Sequence, residues 1–245
     1  MKILALDSSG LVASVAVFAD GQLLAEYTVN YKKTHSQTLL PMLDEICRML
    51  EFDSSTVDAV AVAAGPGSFT GLRIGSATAK GLGLALGVPL IEVPTLDAMA
   101  MNLPFANGLV CPIMDARRQE VYSGIYRFEG DQLVTVRGQM PLSVLSLTSE
   151  LEALDPALTA NGVIFLGDGV EVYRALIDEN LTLPHGYAPA NVGRQRAASV
   201  AILGHRLFAT GHAVAAEEHA PIYLRKSQAE REREEKEKAE NLASP

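Results

Sequence analysis

Short apolar runs separated by turn residues dominate the first hundred positions of the chain. Runs bounded by Gly and Asp are typical of strands, and the expected strands are residues 2–9, 11–18, 23–29, 57–64 and 90–93. Apolar residues at helical spacing predict two helices, over residues 36–50 and 72–86. Because tight turns join the first three strands and helices alternate with the later ones, the pattern predicts an α/β lobe that opens with antiparallel hairpins.

The same pattern begins again after the first hundred residues. The segment CPIMDA at 111–116 resembles LALDSS in the first strand, so that Asp115 follows Asp7 by 108 residues. A turn after the next strand repeats as well, with Gln132 lying 110 residues beyond Gln22. A repeat of this length predicts two copies of one unit of strands and helices.

The repeat sets the expected domain organisation. We expect a first lobe over residues 1–103 and a second over 104–225, with a helix at 197–209 that can pack back on the first lobe. Residues 226–240 consist mostly of Glu, Lys and Arg, so we expect a charged tail at 226–245. Such a run is typical of a solvated helix with charge pairs, or of a segment that docks on a partner.

Charge and cysteine content narrow the classes of function. The formal net charge is −9, and an acidic chain has little capacity to bind a phosphate backbone by counterion release. Any contact with a nucleic acid is therefore expected through a partner. Cys47 and Cys111 are far apart and form no CxxC pair, which favours a reducing compartment. No apolar run approaches the roughly 20 residues of a membrane span, so we expect a cytoplasmic protein without membrane contact.

The segment GPGSFTGLRIG at residues 65–75 is the strongest candidate for ligand binding. It joins a strand to the N-terminus of a helix, where backbone N–H groups can face an anion. The candidate nucleotide contacts are Gly67 and Ser68 of this segment and Asp7, which lies at the end of the first strand. The loop has no lysine like that of a P-loop, so we interpret this contact as vestigial. The alternative for Asp7 is a turn former that bonds to the backbone just beyond it.

Small residues recur every four positions along the helix that follows this loop. They are Gly71, Gly75, Ala79, Gly83 and Gly87. A glycine inside a helix costs roughly 1 kcal/mol relative to alanine, so close packing must offset this cost. Two interpretations remain open: packing against the chain's own sheet, or a helix–helix interface with another subunit.

Five sequence blocks together resemble the bacterial TsaB (YeaZ-like) family. They are LALDSS, THSQTLLPML, AVAVAAGPGSFTGLRIG, GVPLIEVPTLDAMA and PIMDARRQEVY. The resemblance implies a duplicated RNase-H-like fold of the actin, Hsp70 and sugar-kinase (ASKHA) class, with two lobes built on mixed sheets. It also implies a part in making N6-threonylcarbamoyladenosine on tRNA, beside the anticodon. The implied partners are a catalytic paralogue, TsaD, and an ATPase, TsaE, with tRNA contacted only through the complex.

The resemblance further implies a non-catalytic subunit. The catalytic paralogue carries a His-x-x-x-His metal pair just after a strand that corresponds to residues 88–93. Those two positions are Thr95 and Met99 here, and neither supplies an imidazole nitrogen. We therefore expect no catalytic residue, no metal and no cofactor in the isolated chain, with ATP or ADP bound only within the complex. The alternative is an enzyme that works alone, a small-molecule kinase or carbamoyl transferase using ATP.

The expected docking surface for the TsaD-like paralogue is the helix pair at 36–50 and 72–86. The candidate interface residues, interpreted as facing outward, are His35, Leu39, Leu43, Ile46, Gly75, Ala79 and Leu82. In the absence of the paralogue, the same surface is expected to pair two copies of the chain as a homodimer.

Overall fold

The computed structural model describes residues 1–31 and 34–225, which form two five-stranded sheets flanked by helices. The predicted tail at 226–245 lies outside the described residues. The strands of the first sheet are β1 (Lys2–Asp7), β2 (Ala13–Ala19), β3 (Gln22–Val29), β4 (Ala59–Gly65) and β5 (Leu90–Pro94). Those of the second sheet are β6 (Leu109–Arg117), β7 (Glu120–Glu129), β8 (Gln132–Ser143), β9 (Val163–Leu166) and β10 (His185–Tyr187).

The helices follow the strands in both halves of the chain. They are α1 (His35–Met49), α2 (Phe69–Leu86), α3 (Thr95–Ala100), α4 (Val144–Glu152), α5 (Pro156–Thr159), α6 (Gly169–Asn180) and α7 (Ala197–Ala209), with a 3-10 turn at Ser54–Thr56. Within the described ranges, no helix is long and apolar enough to cross a membrane.

The two sheets have the same topology. The first has the order β3-β2-β1-β4-β5 and the second β8-β7-β6-β9-β10. Strand β1 pairs antiparallel with β2 and parallel with β4, and β6 pairs in the same way with β7 and β9. The predicted fold class is therefore confirmed: an α/β protein with a duplicated RNase-H-like, actin-Hsp70-sugar-kinase topology and mixed sheets in two lobes.

Helices cover both faces of the first sheet. Apolar residues of α1 and α2 pack on one face around Val15 and Val60, while Val200 and Ala201 of α7 pack on the other around Ile3. Strands β1, β2 and β4 are consequently buried on both faces, which explains their near-continuous apolar sequences. The last helix thus lies against the first sheet although it follows the second sheet in sequence.

Candidate functional site

A cleft of about 550 Å³ lies between the lobes, where the central strands β1 and β6 end. One wall combines the turn after β1, the start of α1 and the loop that leads into α2. The other wall combines the end of β6 with the start of α6. The polar side chains that line it include Ser9, His35, Ser68, Asp115, Arg117 and Asp168.

Asp7 lies buried beneath the turn after β1. Its Oδ1 atom accepts hydrogen bonds from the backbone N–H of Ser9 at 2.9 Å and from the Ser9 hydroxyl at 2.7 Å. Burial raises the pKa of this carboxyl from 3.8 to about 6, against the opposing effect of the two bonds. These contacts are those of a turn former, the second of the two interpretations given above.

The loop between β4 and α2 packs directly on the same turn. The N–H group of Ser68 donates to the carbonyl of Ser9 at 2.7 Å, and a Cβ atom at Gly67 would lie 2.3 Å from that oxygen. The Ser68 hydroxyl accepts from the N–H of Gly71 at 3.3 Å and so caps α2. Of the candidate nucleotide contacts in this loop, Ser68 therefore has its N–H engaged within the chain.

The second wall of the cleft is mainly acidic. Oδ1 of Asp115 accepts from the hydroxyl of Tyr173 at 2.8 Å and from the N–H of Arg117 at 2.8 Å. Oδ1 of Asp168 accepts from the N–H of Asp115 at 3.2 Å, and burial raises the pKa of Asp168. Among the described residues that line the cleft, the basic side chains are His35 and Arg117. Carboxylates thus outnumber cationic groups among the described residues of this wall.

The sequence did not single out Asp168 and Tyr173. The repeat was the available signal, because it places Asp115 at the position of Asp7 and GDG at 167–169 after the strand equivalent to β4. Burial and the bond to Asp115 raise the pKa of Tyr173 to about 12, so its hydroxyl stays a donor near neutral pH.

The predicted outward orientation of the apolar residues of α1 is wrong. Leu39, Leu43 and Ile46 are between 1% and 4% exposed and pack in the core against the first sheet. An amphipathic helix on a sheet buries its apolar stripe, and these three residues form that stripe.

The candidate residues on α2 also face inward. A Cβ atom at Gly75 would lie 2.3 Å from the Ser8 hydroxyl oxygen, Ala79 is fully buried, and Leu82 is half-buried against the same core. The small residues therefore allow α2 to approach the chain's own sheet. His35 lies at the cleft instead, where its Nε2 atom is 2.9 Å from the carbonyl oxygen of Gly10.

A different set of residues forms the outward side of the helix pair. We define the outer helix face by five exposed apolar or small residues of α1 and α2, which are Leu40, Ala77, Gly81, Leu84 and Ala85. Half of the Leu40 side chain and 54% of Leu84 are exposed, and a Cβ atom at Gly81 would meet nothing within 4 Å. Small residues thus recur on both sides of α2, and only the outward set is available to a partner.

The five histidines of the chain have other partners than serine or cysteine. Each has at least one ring nitrogen within bonding distance of a partner. These partners are the Gly10 and Leu183 carbonyls, the carboxylates of Asp178 and Glu92, the Met1 sulfur and the Thr210 hydroxyl. In the part of the chain that the structure describes, no group of three His, Cys, Asp or Glu residues could hold a metal ion.

Fold and cleft together define a duplicated RNase-H-like protein, and comparisons with known proteins narrow this class. The family model "TsaD: tRNA N6-adenosine threonylcarbamoyltransferase" matches residues 22–233. Two relatives are named tRNA threonylcarbamoyladenosine biosynthesis protein TsaB. The one from Bacillus subtilis is 32% identical over 94% of this chain and 96% of its own. The one from Escherichia coli is 32% identical over 92% of this chain and 95% of its own.

Solved structures agree with these relatives. YeaZ from Pseudomonas aeruginosa has a TM-score of 0.75 at 28% identity, covering 91% of this chain and 99% of its own. A second structure from that organism, described as an uncharacterized protein similar to the peptidase YeaZ, has a TM-score of 0.76 with the same identity and coverage. The chain belongs to the TsaB family, within the family that the TsaD model describes.

Proposed function

We propose that this chain is a non-catalytic subunit of the complex that transfers a threonylcarbamoyl group to N6 of the adenosine beside the tRNA anticodon. Its task is to dock on a TsaD-like catalytic paralogue and activate it. The observation that carries the proposal is the relationship, over nearly the whole chain, to proteins named for threonylcarbamoyladenosine biosynthesis. A TsaE-like ATPase would join the pair in the cytoplasm, and tRNA would be contacted through the complex.

The surroundings of Thr95 and Met99 support a non-catalytic role. The Thr95 hydroxyl, fully buried, accepts from the N–H of Gly65 at 3.1 Å and so fixes the loop before α2. Met99 is 1% exposed and packs in an apolar cluster with Val110 and Leu166. The positions at which the catalytic paralogue carries imidazoles are therefore used here for packing.

The docking surface that we propose is the outer helix face. Its residues are apolar or small, and they stand on two helices that pack side by side on the first sheet. Two such helices can pack closely against a similar pair, because small residues let the backbones approach and apolar residues fill the remaining space. The same face would pair two copies when the paralogue is absent.

The alternative enzyme, a kinase or carbamoyl transferase acting alone, has less support. The N–H of Ser68 in the GPGS loop donates to Ser9, the Ser68 hydroxyl accepts from the N–H of Gly71, and carboxylates dominate the opposite wall. Calorimetry of the isolated chain with ATP and Mg²⁺ distinguishes the two. Micromolar binding with turnover would favour the enzyme, whereas our proposal assigns ATP or ADP to the complex.

The description of one relative as similar to a peptidase does not lead us to propose peptidase activity. A serine or cysteine peptidase needs a base within hydrogen-bond reach of its nucleophile. In each of the five histidines, at least one ring nitrogen has a carbonyl, carboxylate, sulfur or threonine partner instead.

Reconstitution tests the proposed function. The chain is co-purified with the TsaD-like and TsaE-like proteins of the same organism, and threonylcarbamoyl transfer to tRNA is assayed with each protein omitted in turn. We expect transfer to fall to background without this chain and to be absent with this chain alone. Undiminished transfer in its absence would refute the role in activation, and transfer by the chain alone would refute the non-catalytic assignment.

A further inference from the structure

The last described segment, residues 211–225, crosses the first lobe after α7 and is called the strap below. Val214 and Leu90 exchange two backbone hydrogen bonds of 2.9 Å, which add the strap to the edge of β5. Further along, the N–H of Ile222 donates to the carbonyl of Ala64 at 2.7 Å, at the end of β4. The strap is thus tied to the first sheet at both ends of this crossing.

Side chains hold the middle of the strap against β5 and α2. Nδ1 of His219, whose side chain is fully buried, lies 2.7 Å from Oε1 of Glu92. The Lys80 ammonium donates to the carbonyls of Glu217 and His219, both at 3.0 Å. These contacts fix the strap's path along the first lobe before it reaches the cleft.

The strap then contacts residues of α2 that are next to the first wall of the cleft. The ring of Tyr223 stacks on that of Phe69, with centroids 4.1 Å apart and planes 3° from parallel. Nε of Arg73 donates to the Tyr223 hydroxyl at 3.2 Å. Because Phe69 directly follows the cleft-lining residue Ser68, this stack connects the strap to the loop that forms the wall.

Two residues later the strap reaches the opposite wall. The guanidinium of Arg225 donates to the carbonyl of Ala116 at 3.1 Å and forms an ion pair with Glu120 at 2.5 Å. Ala116 lines the cleft and precedes three non-glycine residues, 117–119, that all have left-handed φ angles between 56° and 67°. A left-handed backbone conformation costs free energy in residues other than glycine. We therefore infer that contacts around this turn hold it in place.

We propose that the strap is a latch between the lobes beside the cleft, with Tyr223 held on α2 of the first lobe and Arg225 held on the second lobe, and that it sets how far the lobes open. The Arg225 and Glu120 side chains are 17% and 38% exposed, and an ion pair that water can reach is easily broken. Release would not separate the lobes, because Leu96 and Met99 of α3 pack in a buried apolar cluster with Val110, Tyr126 and Leu166 of the second lobe. Releasing the strap would therefore open the cleft.

Distance measurement by pulsed electron–electron double resonance on the full chain tests this latch. Spin labels are placed at Q37C and A175C, two exposed helical positions on opposite sides of the cleft, in a chain with Cys47 replaced by serine. Arg225→Ala and Glu120→Gln are each expected to shift the distance distribution to longer values and to broaden it. Tyr223→Ala, which removes the stack, is expected to act in the same direction.

The matched control is Arg127→Gln. This variant removes the ion pair of 2.6 Å between Arg127 and Glu129, which both lie on β7, the strand that also carries Glu120. We expect this variant to keep the parent's distances. Circular dichroism and the Tm establish that each variant is folded. If Arg225→Ala does not fold, the distance distribution of Glu120→Gln provides the test. Distances in the two latch variants equal to those of the parent would overturn the proposal, as would an equal shift in Arg127→Gln.

Discussion

Gly75 packs so closely on Ser8 that a Cβ atom at Gly75 would lie 2.3 Å from the Ser8 hydroxyl oxygen. That hydroxyl donates to the carbonyl of Gly71 at 2.8 Å and ties the turn after β1 to the first turn of α2. We predict that Gly75→Leu lowers the free energy of unfolding by about 3 kcal/mol, because the added side chain must displace this turn. Urea unfolding followed by circular dichroism measures the change.

The matched control is on the opposite side of the same helix. A Cβ atom at Gly81 would meet nothing within 4 Å, so Gly81→Ala should raise the free energy of unfolding by about 1 kcal/mol through helix propensity alone. If Gly75→Leu proved as stable as the parent, this would contradict the conclusion that close packing against the sheet requires a small residue at position 75.

The buried carboxyl of Asp7 makes stability depend on pH in the direction opposite to that of most carboxylates. Its pKa rises from 3.8 to about 6 on folding, so the folded chain holds the proton more tightly than the unfolded chain. The contribution of Asp7 to stability therefore grows as the pH falls from above 6 towards 4, by about 3 kcal/mol in total.

Asp7→Asn isolates this effect, since its amide oxygen can accept both bonds from Ser9 without carrying a charge. We predict that the variant is more stable than the parent at pH 7.5 and that the difference shrinks as the pH falls through 6. Urea unfolding of both proteins at several pH values gives the difference directly. A variant that is less stable than the parent at pH 7.5 would show that the charged carboxylate is required.

The topology could be predicted from the sequence because the repeat marks the central strands twice. Asp7 and Asp115 lie 108 residues apart. Asp7 ends β1 and Asp115 lies two residues before the end of β6, and each of these strands pairs antiparallel with one neighbour and parallel with another. Short elements could not be predicted from the sequence pattern. Helix α3 has six residues and β10 three, too few to show a period.

The orientation of the interface helices could not be predicted, because α2 has small residues on both sides. Gly75 faces the sheet and Gly81 faces outward, although each belongs to a spacing of four. Only the surrounding strands decide which side is covered. The contact between Asp115 and Asp168 in the cleft could not be predicted either. The two residues are 53 positions apart, and the pairing of β6 with β9 brings them together.

Glu26 on β3 holds the N-terminus of α7. Its carboxylate accepts from the N–H of Ala198 at 3.0 Å and from Nε and Nη2 of Arg196 at 3.1 and 2.5 Å, and its side chain is 11% exposed. We predict that Glu26→Ala lowers the free energy of unfolding by about 3 kcal/mol, because it removes a helix cap and leaves the Arg196 charge without its partner.

Glu26→Gln keeps an oxygen that can cap the helix and loses only the charge, so about half of that effect is expected. Thermal and urea unfolding of both variants at low and high salt separate the cap from the ion pair. A change in Glu26→Ala smaller than about 0.5 kcal/mol, the scatter of ordinary surface substitutions, would contradict the cap.

Gly81 also offers the sharpest test of the outer helix face, because a side chain added there leaves the core untouched. We predict that Gly81→Arg weakens the affinity for the TsaD-like paralogue by about 30-fold or more, since a bulky charge at the centre of an apolar helix contact costs about 2 kcal/mol. The same variant should shift the isolated chain towards a monomer in light scattering. Ala175→Arg, at an exposed position on α6 in the second lobe, is the matched control and should leave both properties unchanged. Equal affinities for parent and Gly81→Arg, with the fold intact, would mean that the paralogue docks on another surface.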